Sequence, residues 1–137
     1  MISVAIENLI PHRAPMRFID VLVECTETTA VATAIFGAEH FAVTNGFVLE
    51  TALVECVAQT AAAALGWRAQ AAGKIGAGNN GMLIAVTNFR IESRPAAEKI
   101  LRIEISERKR LGPMLMISGT ITCEEKIIAS GDLTLYA

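Results

Sequence analysis

The sequence predicts an α+β domain in which a curved antiparallel sheet wraps around one long central helix. Three observations lead there. Residues 47–72 form an Ala- and Leu-rich run uninterrupted by Pro. It is apolar on nearly every side, as suits a helix enclosed by other structure. Two strand-like segments precede it and four follow. No helical segments alternate with the later strands, so hairpins and an antiparallel sheet are expected.

In chain order, residues 6–10 make at most a short helical turn. Pro11 and Pro15 then hold 11–15 extended or turned. Residues 16–25 read as the first strand, with Phe18, Ile19, Val21 and Val23 as core contributors. Residues 28–36, rich in Thr, Val and small side chains, read as its antiparallel partner. Residues 37–46 are a connecting loop containing His40. Thr44, Asn45 and Gly46 are expected at the helix entry, since Thr and Asn cap well and Gly permits unusual backbone angles. Gly73 is expected to end the helix. The Gly- and Asn-rich stretch 75–81 reads as a flexible loop without the pattern of a phosphate-binding loop. Strands follow at 82–92, 99–107, 114–123 and 126–136. In 99–107, Ile103 and Ile105 alternate with Arg102, Glu104 and Ser106, so one face is wet. The economical arrangement of these elements is the hot-dog fold.

The 137 residues suit one domain, 1–137, with a real core. With 53% hydrophobic and 19% charged residues, disorder is excluded. So apolar a small chain can also cover a subunit interface, and a sheet with an open edge can hide it by dimerising. The net charge of −2, with no basic stripe, argues against nucleic-acid binding. Cys25, Cys56 and Cys123 are widely spaced and form no CxxC or Cys/His cluster. Reduced thiols in a cytoplasmic protein are expected, with no metal site and no cofactor. No secretory signal is read at the start. Residues 47–66 have the length of a membrane span, but Glu50, Glu55 and Gln59 count against one.

Those three polar residues also carry the functional signal, because a carboxylate in a buried helix must be paired, neutralised or used. Glu50 reads as a first-turn charge favoured by the helix dipole. Glu55 lies about two turns into the helix, with Gln59 one turn further on the same face. A histidine such as His40, an acid such as Glu55 and the helix N-terminus near Gly46, Phe47 and Val48 make the minimal kit for proton abstraction beside a carbonyl. Simpler readings stand beside this one. On spacing alone His40 reads first as a surface-loop histidine, Glu55 less readily as a carboxylate bonded to backbone or an interface Arg, and Gln59 as a residue that bonds backbone or orients a neighbour. His12, in its proline-fixed turn, reads as packing. Arg13 and Arg17 either meet an acidic partner or, as is more common, stay solvated.

The segment Leu9-Ile10-Pro11-His12-Arg13-Ala14-Pro15-Met16-Arg17-Phe18-Ile19-Asp20 resembles the LPHRxPxLLxDR opening of 3-hydroxyacyl-[acyl-carrier-protein] dehydratases. Glu55-Cys56-Val57-Ala58-Gln59 resembles the E-x-M-A-Q segment of their central helix, and Asn88-Phe89-Arg90 the strand that follows it. Within that family the chain is most similar to the dehydratase-like proteins of aryl-polyene and related lipid pathways. Of the family's H-F-P-G-x-P-x-x-P-G loop, only His40-Phe41 is matched, and the prolines are absent. The resemblance implies an enzyme that converts a 3-hydroxyacyl thioester, carried on acyl carrier protein, to the trans-2-enoyl thioester. It implies His40 as base and Glu55 of the partner subunit as acid, with Gly46, Phe47, Val48 and Gln59 around the substrate in a tunnel between the subunits of a homodimer or larger assembly. A hot-dog acyl thioesterase using Glu55 without His40, and a catalytically inactive acyl-binding homologue, are the alternatives.

Overall fold

The computed structural model describes residues 2–74 and 82–136. The loop expected at 75–81 lies outside the described residues. A short 3-10 turn, Ile6–Asn8, leads into strands β1 (Val21–Cys25) and β2 (Thr29–Ile35). The small strands β3 (Val43–Thr44) and β4 (Phe47–Val48) precede helix α1 (Glu50–Ala71), and strands β5 (Met82–Ile91), β6 (Ile100–Leu111), β7 (Met114–Cys123) and β8 (Lys126–Tyr136) follow. The six long strands form one antiparallel sheet in the order β1-β2-β6-β7-β8-β5. Helix α1 packs on its concave face, chiefly against β6, β2, β1 and β7.

Alternation builds the inner layer. Leu101, Ile103 and Ile105 of β6 are buried while Arg102 and Glu104 face out, and Leu115, Ile117 and Ile121 of β7 repeat the pattern. The helix answers with Leu53, Cys56, Val57, Ala61 and Ala64. Small residues bring the layers close. A Cβ at Gly119 of β7 would collide with the Val57 side chain of α1, and one at Gly131 of β8 would collide with the backbone and ring of Phe89.

The chain before β1 departs from expectation. The first strand starts at Val21 rather than Met16, because residues 13–17 turn, with the Met16 and Arg17 N–H groups donating to the Arg13 carbonyl at 2.8 and 3.0 Å. The inward phase shifts with that start and with a bulge between Leu22 and Glu24. Phe18 and Ile19 are buried as expected, but within the strand Leu22 points inward while Val21 is exposed and Val23 half-buried.

The helix entry also differs. Asn45 and Gly46 have φ values of 55° and 83° and occupy the turn of the β3–β4 hairpin, where Val43 pairs with Val48 and Thr44 with Phe47. Asn-Gly is the residue pair such a two-residue turn demands. The helix therefore begins at Glu50, not at 47, and Leu49 precedes it without any side-chain cap. Its other end meets expectation. Gly73, at φ 75°, donates to the Gln70 carbonyl and Lys74 donates to that of Ala69, a Schellman arrangement that satisfies the last carbonyls.

Candidate active site

Three pieces of chain meet over the middle of α1: the helix face carrying Glu55 and Gln59, the turn 12–18, and the loop carrying His40. Gln59 is the hinge of the arrangement. It is 1% exposed. Its Oε1 accepts the Phe18 N–H at 2.8 Å, and its Nε2 donates to the Met16 carbonyl at 2.9 Å and to Glu55 Oε2 at 3.0 Å. Both of its amide protons are used, which fixes the orientation of the amide.

Glu55 is less enclosed than an all-apolar helix suggests. Its side chain is 36% exposed, at the border between the sheet-facing residues and a half-buried stripe of Val54, Ala58, Ala62 and Leu65. Besides Gln59, its Oε2 faces His12 Nε2 at 3.5 Å. Among the described residues no protein group bonds Oε1. The carboxylate is thus gripped on one oxygen and open on the other.

His12 approaches this carboxylate from the proline-fixed turn. It sits in the turn as expected, yet its ring meets the helix acid. The LPHR spacing to the helix motif could not reveal this, because the contact depends on how turn 12–18 folds back over α1. Of the two arginines in this turn, Arg17 meets acidic partners, Glu7 at 2.9 Å and Asp20 at 3.1 Å.

His40 stands on the other side of the turn. Its Nδ1 accepts the Ala42 N–H at 3.0 Å, so in the neutral ring the proton is on Nε2, which donates to the Pro15 carbonyl at 3.0 Å. Phe41 stacks on the ring at 4.7 Å between centroids, with Phe18 and Phe36 edge-on. Within one chain no bond joins His40 to Glu55; the two are linked only through turn 12–18.

The segment Gly46, Phe47 and Val48 is not the start of the helix, and its backbone is engaged elsewhere. The Val48 N–H donates to the Pro95 carbonyl at 2.9 Å, and the Gly46 carbonyl accepts the Ala97 N–H at 2.9 Å. Arg94, between β5 and β6, clamps the same hairpin by donating to the carbonyls of Val48 and Phe47 at 2.9 and 3.1 Å. The helix N–H groups that lack intrahelical partners begin at Glu50. Phe47 keeps an exposed ring beside them.

No group of His, Cys, Asp and Glu among the described residues is arranged to hold a metal ion. No helix among them is long and apolar enough to cross a membrane.

One long helix held in the curve of an antiparallel sheet, with a carboxylate presented from its flank, defines a hot-dog enzyme domain. The chain belongs to the ApeP-like family, described as ApeP dehydratase, which matches it over residues 4–137. It is a dehydratase-type lyase by that membership. Among solved structures it is similar to the dehydratase heterocomplex ApeI:P from Xenorhabdus doucetiae, with TM-score 0.88 and 18% identity over 98% of this chain and 91% of that one. It also resembles the PaaI protein of the phenylacetic acid degradation operon of E. coli, with TM-score 0.67 and 14% identity over 85% and 81%. A hypothetical thioesterase with coenzyme A from Streptococcus pneumoniae gives TM-score 0.65 and 11% identity over 85% and 83%. No curated protein sequence matches the chain significantly.

Proposed function

We propose that the protein dehydrates a 3-hydroxyacyl thioester, delivered on the phosphopantetheine arm of an acyl carrier protein, to the trans-2-enoyl thioester. The single observation that carries this reading is the Glu55 carboxyl group, with Oε2 held by Gln59 and Oε1 open. A general acid needs that arrangement, with one oxygen fixed and the other free to meet the substrate.

In the reaction a base takes the C2 proton and the electron pair moves to form the C2=C3 bond. The C3–O bond breaks, and Glu55 Oε1 gives its proton to the departing hydroxyl, which leaves as water. Negative charge that builds on the thioester oxygen is stabilised by the first-turn N–H groups at the start of α1 and its dipole. The hairpin of Gly46, Phe47 and Val48 lines the approach, with the exposed Phe47 ring against the acyl arm. His40 of a second subunit is the base. To act it gives up both the Pro15 and the Ala42 bonds and carries its ring proton on Nδ1, which leaves Nε2 the lone pair that takes the C2 proton. Return of the proton from His40 to Glu55 through solvent resets the site.

The second subunit is a second hot-dog chain placed along β5. This strand is an edge of the sheet and exposes Met82, Ile84 and Val86. A ten-residue edge strand whose first half, Met82–Val86, is apolar is a surface suited to strand pairing. Cytoplasmic location fits the substrate.

A second reading, acyl thioester hydrolysis by Glu55 and water, draws support from the commitment of both His40 nitrogens to backbone. Incubation with 3-hydroxyacyl and plain acyl thioesters separates the two. Enoyl product, lost in Glu55→Gln and His40→Ala, is expected. Free thiol released from the plain substrate would replace dehydration with hydrolysis. Full dehydration by Glu55→Gln would remove Glu55 from the chemistry altogether.

A further inference from the structure

We propose that His12 is a positioning residue for Glu55, the second of two donors that clamp its Oε2 so that Oε1 alone faces substrate. This rests on the reading of Glu55 as the acid.

The His12 ring is oriented by its surroundings. Its Nε2 lies 3.5 Å from Glu55 Oε2, an ion-pair contact longer than the Gln59 bond to the same oxygen, and its Nδ1 is buried with no partner. Of the two neutral tautomers, one places a proton on Nδ1, where burial without an acceptor is costly. The other places it on Nε2, aimed at the carboxylate, and leaves a bare nitrogen in the buried position. The second is favoured. The same burial excludes His12 as the base that takes the C2 proton, because the nitrogen that would accept it is closed to substrate.

The chain around His12 holds this aim. Arg13 Nη1 donates to the carbonyls of Ile10 and His12 at 2.9 and 2.8 Å and so ties the backbone of the turn. Gln59 ties its far end through Met16 and Phe18. The turn thus joins the two donors, His12 and Gln59, in one unit over a single carboxylate oxygen.

The clamp favours the step it serves. While Glu55 holds its proton on Oε1, Oε2 is a carbonyl oxygen that accepts the Gln59 bond, with the His12 ring nitrogen 3.5 Å away. As the proton leaves for the C3 hydroxyl, negative charge spreads to Oε2, so the Gln59 bond strengthens and the His12 N–H closes on the same oxygen, since hydrogen bonds to ionised groups are roughly twice as strong. The gain appears in the transition state rather than on binding, so its loss belongs in kcat.

The test compares His12→Ala, His12→Gln and Glu55→Gln in the full-length protein, with kcat and KM measured for dehydration of a 3-hydroxyacyl thioester. His12→Ala should lower kcat by about 10- to 100-fold, the size of losing a hydrogen bond to a charged group, with KM nearly unchanged. His12→Gln, whose amide N–H reaches toward the same oxygen, should recover most of that loss. If His12→Ala does not fold, a folded His12→Gln with near-normal kcat still supports the clamp, and a folded His12→Gln with little activity overturns it. A His12→Ala enzyme with normal kcat, beside an inactive Glu55→Gln, would overturn the positioning role and leave the acid in place. An active Glu55→Gln would instead remove the acid, and the role of His12 with it.

Discussion

The side-chain carbonyl of Gln59 accepts the backbone N–H of Phe18 at 2.8 Å, so the middle of the central helix acts as hydrogen-bond partner to a piece of chain outside the sheet. Phe18 is buried, and residues 13–17 turn away from the ladder that begins at Val21. The peptide groups near Phe18 need partners. Gln59 supplies them and holds Glu55 with its remaining proton. Structure and chemistry therefore share one side chain.

Gln59→Leu should cost stability as well as activity. It fills similar space but leaves the Phe18 N–H and the Met16 carbonyl without their partner. Each buried group so stranded costs about 1–3 kcal/mol. Urea unfolding should show a lower midpoint with an unchanged slope. Gln59→Glu keeps the acceptor for Phe18 but loses the donors to Met16 and Glu55, and sets a second carboxylate beside the first. It should retain more stability than Gln59→Leu only at acid pH, where the added carboxyl is protonated and can donate. Equal midpoints for Gln59→Leu and the native protein would refute the bridging role.

Gly119→Ala tests how closely helix and sheet approach. The added methyl meets the side chain of Val57, which is completely buried. Overpacking of this kind costs about 1–3 kcal/mol. Val57→Ala alone should also destabilise, through the cavity it opens. The double variant should be more stable than the two effects added together, with a coupling of about 0.5–3 kcal/mol between touching residues. Simple additivity in the unfolding free energies would mean that the two residues do not touch.

The sheet was legible because its strands announce themselves locally. Residues 100–107 fall within β6 and alternate as far as Ile105, and strands begin at 114 and 126 where expected. The helix was legible from composition, and its end from Gly73. The entry was misjudged because Thr, Asn and Gly serve both helix caps and hairpins. The Asn45-Gly46 pair, lying between Val43 and Val48, was the discriminating signal. The site was half legible. Glu55 and Gln59 share a helix face by spacing alone, and the structure bonds them. The approach of His12 was not legible, since it arises from 42 residues of intervening chain folding back, and no local periodicity encodes such a contact.

Gly46→Ala should loosen the hairpin that leads into the helix. At φ 83° a β-carbon is strained, and the left-handed region costs a residue with a side chain roughly 1–2 kcal/mol. Space is not the obstacle, since a methyl at this position meets nothing within 4 Å. The expected result is a lower melting temperature by several degrees, with Gly46→Asn less affected because Asn tolerates the conformation. If alanine and asparagine lowered the melting temperature equally, backbone conformation would not be the reason for the glycine.

The three cysteines should react with iodoacetamide in an order set by access and by thiol ionisation, because the thiolate is the nucleophile. Burial pushes the thiol of Cys56 far up, and the negative charges of Glu55 and Asp20 push the same way. Burial also raises that of Cys25, but the Arg68 guanidinium opposes it, and the residue is half-exposed. Cys123 is raised by burial and by Glu124, against Lys99. In the native protein at neutral pH, labelling of Cys25 should come first and that of Cys56 last. Cys56 should label at the rate of global unfolding, rising with urea as the fold opens. Mass spectrometry of timed digests reads the order directly. Early labelling of Cys56 without denaturant would show that the face of α1 against the sheet opens locally, and would place the helix that carries Glu55 among the mobile parts of the fold.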